Sequence, residues 1–199
     1  IDAELMGKGE KEKKDLYIEG VQNNGIINHY EYIINSEGTI EIRHVLKPEG
    51  KMPLWFPRIG LTLTVSDALD QVKWYGRGPQ ENYPDRKTGY PMGIYASTVQ
   101  AMYEPYLMPQ DYGLRTDVRW LQLTTDKGIG LQFKMNEWFN FNIYPYSTDN
   151  LTKAMYTYQL QKQKGMTLNL DYATTGVGCT ARGVFGAYKA MPQEYRRTI

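Results

Sequence analysis

Cysteine occurs once, at Cys179, and histidine only twice, at His29 and His44, in a chain of 199 residues. A single thiol excludes an internal disulfide framework, and it leaves the compartment undecided. No pair of histidines, cysteines or carboxylates has ligand spacing, so neither a metal nor another cofactor is expected, and Cys179 reads as a small buried hydrophobe. Gly128-Ile129-Gly130 and Gly176-Val177-Gly178 read as turns, because neither opens a glycine-rich helix N-terminus that could cradle phosphate. Charge of one sign is also scarce: the net charge is +1. Basic residues are dispersed except between Lys8 and Lys14, where they alternate with Glu10 and Glu12, so nucleic acid is not an expected partner. No run of about eighteen apolar residues exists, and no membrane-spanning helix is expected. The chain starts Ile1-Asp2-Ala3-Glu4, with neither an initiator methionine nor a secretion signal, and reads as a piece of a longer polypeptide.

What the chain has is 17 tyrosines, 19 glycines and 41% hydrophobic residues, a composition that favours strands and turns over helices in one globular domain. Residues 1 to 14 have no apolar side to bury and read as a flexible linker remnant, leaving 15 to 199 as the domain. Leu16 and Ile18, then Tyr30, Tyr32 and Ile34, alternate with polar neighbours as strands do. Asn23-Asn24-Gly25, Ser36-Glu37-Gly38 and Pro48-Glu49-Gly50 supply turns. Ile40 and Ile42 face away from Glu41 and Arg43, and Leu61, Leu63 and Val65 face away from Thr62, Thr64 and Ser66. Strands are expected again over 114–124, over 128–135 with Ile129, Leu131, Phe133 and Met135 inward, over 139–144, and over 167–172. Ser147 reads as the N-cap of a short helix reaching about Met155. Residues 87 to 113, rich in Gly and Pro, read as a long irregular excursion whose tyrosines pin it to the sheet.

The densest stretch is Trp74-Tyr75-Gly76-Arg77-Gly78-Pro79-Gln80-Glu81-Asn82-Tyr83-Pro84-Asp85-Arg86. Its glycines and prolines exclude a helix and predict a shaped loop. Glu81, Asp85 and Arg86 lie close enough in sequence to form a carboxylate and guanidinium cluster beside Trp74, Tyr75 and Tyr83, residue types that line sugar sites. The same arginines could instead tie the loop to its own backbone and carboxylates.

This stretch resembles the signature of the C-terminal domain of bacterial β-galactosidases of glycoside hydrolase family 2. Pro57-Arg58-Ile59-Gly60-Leu61, Tyr106 through Arg115, and Asn140 through Ser147 followed by Leu151 extend the resemblance, in the family's order, over about residues 15 to 199. It implies an all-β fold, an antiparallel supersandwich like that of galactose mutarotase, two packed sheets in all. It also implies a partner, a catalytic β/α-barrel domain of the same polypeptide that carries both catalytic glutamates and hydrolyses terminal β-galactosides in a bacterial cytoplasm or periplasm.

A glycosidase needs two carboxylates flanking the scissile bond. Glu81 and Asp85 are the available pair, but an arginine-rich loop favours the charged form of both, which does not suit a general acid. Catalysis by this chain alone is therefore not expected. Trp74, Glu81, Asp85, Arg86 and Arg115 are the candidates for shaping the site or touching sugar. The family's tryptophan after a glycine turn has no counterpart in Gly176 through Val184, where Arg182 is the residue placed to lean toward a neighbouring site. The expected role is to buttress the barrel, wall part of the sugar site and take part in homo-oligomer contacts. Two other readings stay open: a free-standing carbohydrate-binding module, and a mutarotase using His29 or His44, for which neither histidine carries a matching motif.

Overall fold

In the first described strand, Gly25–Ile34 (β1), the chain begins a pattern that recurs to its end: extended runs joined by turns at Gly, Asn and Pro. The computed structural model describes residues 25–178 and 183–199. The linker expected at 1–14, the strand at Leu16 and Ile18, and both Cys179 and Arg182 lie outside them. Among the described residues there are nine strands, all paired antiparallel, and one short α-helix. This is the all-β antiparallel class that the alternation predicts. Contacts divide the chain into two compact units, Ile1–Leu54 with Pro192–Thr198 and Trp55–Met191 with Ile199.

The first unit holds β1, Ile40–Glu49 (β2) and Tyr195–Thr198 (β9) as a sheet in the order β1-β2-β9. Asn35 closes the β1–β2 hairpin by accepting from the Glu37 and Thr39 amides at 3.0 Å each, and Gly38 follows at φ 83°. His44 stands opposite Tyr30 on one side and Arg197 on the other. It is buried, stacks on the Tyr30 ring at 4.1 Å, and meets Asn28 Oδ1 at 3.1 Å. Burial lowers its pKa to about 4. His29 points the other way and is exposed.

The second unit is one six-stranded sheet in the order β3-β8-β7-β6-β4-β5. Its strands are Arg58–Val65 (β3), Gln71–Arg77 (β4), Met92–Thr98 (β5), Arg115–Thr124 (β6), Gly130–Tyr144 (β7) and Met166–Thr174 (β8). Alternation places Val72, Trp74, Leu121, Leu123, Phe139, Phe141, Ile143, Leu168 and Leu170 in one apolar core. Each such side chain, taken out of water, contributes about 1.5–3 kcal/mol before entropy is counted.

Four local readings need correction. The stretch expected as a loop from Trp74 is strand through Arg77, since Trp74 and Tyr75 pair with both Tyr95–Ile94 and Leu121–Trp120. The expected excursion over 87–113 contains β5: Gly93 lies beneath the Tyr95 ring, so the glycine that signalled a break is a close-contact site inside a strand. The two strands expected at 128–135 and 139–144 are one, and Ile129, just before it, and Leu131, near its start, are exposed rather than inward. Pro48 and Glu49, expected to turn the chain, still belong to β2.

The helix Thr148–Lys153 (α1) starts as read: Ser147 Oγ accepts from the Asn150 amide at 3.1 Å. Tyr103 and Tyr112 pin the irregular segment that follows β5, with Tyr112 edge-on to Tyr103 at 5.3 Å and tilted against Tyr144 at 5.4 Å.

A polar cleft as candidate functional site

β8 reads Met-Thr-Leu-Asn-Leu-Asp-Tyr, and every one of those side chains is buried. Its apolar members enter the core. The other face places Thr167, Asn169 and Asp171 beside Tyr144, Asn142 and Asn140 of β7, and beside Thr62 and Gly60 of β3. Buried polar groups are costly unless bonded, and these bond to one another. Asn169 accepts from Thr62 Oγ1 at 2.8 Å and donates to Asn142 Oδ1 at 2.8 Å and Tyr144 OH at 3.1 Å. Asn142 in turn donates to the Tyr112 carbonyl and to Asp111 Oδ1, both at 2.9 Å.

Arg58, the first residue of β3, crosses this face. Its guanidinium lies 2.9 Å from Asp171 Oδ2 and 3.3 Å from Asp111 Oδ1. Burial pushes the Asp171 carboxyl up to about 7, against the pull of the Arg58 charge. The adjacent carboxylates outweigh burial at Arg58 and hold its pKa above the ordinary arginine value.

Three segments rise around this floor. The first runs from Gly78, across a cis bond to Pro79, to Arg86. Glu81, buried within it, accepts from Arg86 Nη2 and Tyr106 OH, from Tyr83 OH at 3.3 Å and from the Gly113 amide at 2.8 Å. Four donors on one carboxylate make it the knot that ties the signature to the segment after β5. Asn82 adds a second tie, accepting from the Thr116 amide and hydroxyl at 3.1 and 2.5 Å. Asp85 turns to the third segment and accepts from the Val177 and Gly178 amides at 3.2 and 2.7 Å. Gly176 allows that approach: a β-carbon there would sit 2.4 Å from the Asp85 carboxyl carbon.

Between these segments lies a cleft of about 560 Å³. Tyr83, Arg86 and Tyr106 line one wall, Arg58, Gln110 and Asp111 the floor, and Thr174, Val177 and Gly178 the opposite wall. Among the described residues Asp111 is the one acid that lines it, and no histidine does.

Trp74 and Arg115 lie below this surface. Trp74 is fully buried, donates Nε1–H to the Arg77 carbonyl at 3.1 Å, and packs on Tyr95 and Phe141. Arg115 leans on its ring at 5.5 Å and donates to the Gly113 carbonyl at 2.8 Å. Burial lowers the Arg115 pKa to about 10, and Glu104 and Glu81 oppose that shift. Both residues support the loops from beneath.

The chain matches the family model for the β-galactosidase small chain over residues 6–199. It belongs to the β-galactosidase small-chain family. A β-galactosidase of Priestia megaterium is 38% identical over 147 residues, which are 74% of this chain and 14% of that protein. One of Vibrio cholerae is 39% identical over 122 residues, 61% of this chain and 11% of that protein. One of Pseudoalteromonas haloplanktis is 34% identical over 148 residues, again 74% and 14%. The chain thus spans about a seventh of the length of the curated relatives it matches.

In this small chain the structure brings together Glu81 and Arg86, as their spacing suggested, but sends Asp85 to a different segment. Sequence reasoning missed Arg58, Asp111, Asn142, Asn169 and Asp171. The available signal was polar alternation within strands, Asn140 with Asn142 and Thr167 with Asn169 and Asp171, which normally marks a solvated face.

Proposed function

We propose that this small chain is a non-catalytic domain of a bacterial β-galactosidase, one that walls and stabilises a sugar site while a partner β/α-barrel domain of the same polypeptide supplies the acid and the nucleophile for hydrolysis of terminal β-galactosides. The family match carries this reading, since every curated relative named above is a β-galactosidase of which the matched region makes up only 11% to 14%. The disposition of the chain's own acids supports it. Glu81 is committed to four donors and Asp85 to two backbone amides, so neither is placed as a general acid or a nucleophile on a substrate.

Trp74, Glu81, Asp85, Arg86 and Arg115 then serve by holding the cleft-forming segments in register. The test is hydrolysis of a chromogenic β-galactoside by the purified chain alone and after mixing with the remainder of a β-galactosidase polypeptide. The reading expects no turnover from the chain alone and restored turnover on mixing. Turnover by the chain alone would overturn it.

A further inference from the structure

We infer that β5 is an interface with a second copy of this chain: two β5 strands pair antiparallel about a two-fold axis at Ile94 and join two six-stranded sheets into one. The backbone supplies the first argument. β5 ends its sheet, with β4 on one side and no strand of the described residues on the other. The Val99 amide donates to the Asp70 carbonyl at 3.0 Å, and the register continues from that pair without a shift, so Tyr95 and Gly93 turn their backbone groups to β4. Met92, Ile94 and Ala96 turn theirs outward. Thr98 closes the strand, its carbonyl accepting from the Met102 amide at 3.0 Å.

The side chains supply the second argument. Met92, Ile94 and Ala96 are apolar and exposed, Ile94 at 63%. Ile94 stands opposite Tyr75, Tyr75 opposite Trp120, and Trp120 opposite Lys134. An apolar row thus crosses β5, β4 and β6, is closed by a cation on β7, and runs out at the β5 edge. The far edge of the same sheet is guarded, because the β3 register shifts between Ile59 and Gly60, and a bulge turns an edge away from further pairing. β5 has no bulge, proline or charge to do the same.

Self-complementarity selects a second copy as the occupant. Pairing about Ile94 sets this residue against its own counterpart and Met92 against Ala96 on either side, apolar against apolar at every outward-facing position. No charged residue stands between Lys87 and Glu104, so the two-fold brings no like charges together, and a foreign strand finds no charge to select it.

The test is sedimentation of the 199-residue chain from about 1 to 200 µM, with amide exchange measured at both ends of that range. The mass should rise from 23.0 kDa toward twice that value. The contact is small for an interface, so a dissociation constant on the order of tens of micromolar is expected. At the high concentration the Met92, Ile94 and Ala96 amides should exchange at least about tenfold more slowly, while those of Gly93 and Tyr95 are protected throughout. Ile94→Lys sets two cations against each other and should weaken the dimer at least about tenfold. Ala96→Pro removes only an outward N–H that β4 does not use, so it should weaken the dimer and leave the sheet intact. Leu131→Lys, an exposed site on β7, should change nothing.

A chain that stays monomeric throughout the range would overturn the assignment. So would a dimer unaffected by both β5 variants, or one that forms while the outward amides exchange as before. Protection of those amides that appears only on mixing with the remainder of a β-galactosidase polypeptide would also overturn it, and would give the edge to that partner.

Discussion

Glu81 shows how one buried carboxylate can serve structure where its sequence setting suggests chemistry. Replacing it by glutamine keeps the shape but turns an amide toward groups that all donate, and leaves Arg86 without its partner. Because Arg86 is partly solvated, the expected loss is about 2–3 kcal/mol, below that of a fully buried pair, seen as a lower urea midpoint at unchanged slope. His44 makes a prediction of the other kind. Its folded pKa of about 4 lies below the unfolded value of 6.5, so the unfolded chain takes up a proton between those values while the folded chain does not. The stability that neutral His44 allows is present above pH 6.5 and is lost as pH falls toward 4, by at most about 3 kcal/mol. Urea midpoints at pH 7, 5.5 and 4.5 should converge more closely for His44→Gln than for the parent. Asp171, whose pKa is raised, pulls in the opposite direction over the same range, so the difference between the two chains, rather than either curve, isolates the histidine.

Among the elements, β6 carries a device that no periodicity reveals. Its pairing with β7 shifts between Arg115 and Val118, and Asp117 sits in that irregularity at φ 56°. The left-handed conformation aims its carboxylate at Arg77 Nε, 2.5 Å away, and at Lys87 Nζ, 2.7 Å away, and so fastens the residues on either side of the Gly78–Arg86 segment to the sheet. Asparagine tolerates that φ but loses the charge, whereas alanine loses the contacts and also strains the backbone. Asp117→Asn should therefore cost about 1–2 kcal/mol and Asp117→Ala about 1 kcal/mol more, measured by urea unfolding. In α1, Ser147→Ala removes the one side-chain cap and should cost about 1 kcal/mol by the same measurement.

For the whole molecule, what matters is how the cleft walls are joined. Asp85 reaches across to the Val177 and Gly178 amides, a bond between segments 93 residues apart in sequence at the latter. Asp85→Ala should release that wall without unfolding the sheet, because the core does not depend on it. Amide exchange at Val177 and Gly178 should rise while the urea midpoint barely moves. In a β-galactosidase assembled with this chain, KM should increase more than kcat falls. An unchanged KM with freely exchanging amides would show that this wall does not face substrate.

The sequence by itself determined the antiparallel β class, the helix cap at Ser147 and the family, and for Glu81, Asp85 and Arg86 it offered only a cluster whose pairing it left open. Each rests on local chemistry: alternation along a strand, a hydroxyl before a helix, charges a few residues apart, and an uninterrupted signature. Tertiary structure decided which face of each strand meets what. Asn142, Asn169 and Asp171 alternate as solvated residues do, yet β3, β7 and β8 bring them together beneath Arg58 and Asp111, and mutual hydrogen bonding makes their burial tolerable. That juxtaposition joins residues as much as 113 positions apart, such as Arg58 and Asp171, and no local pattern encodes it.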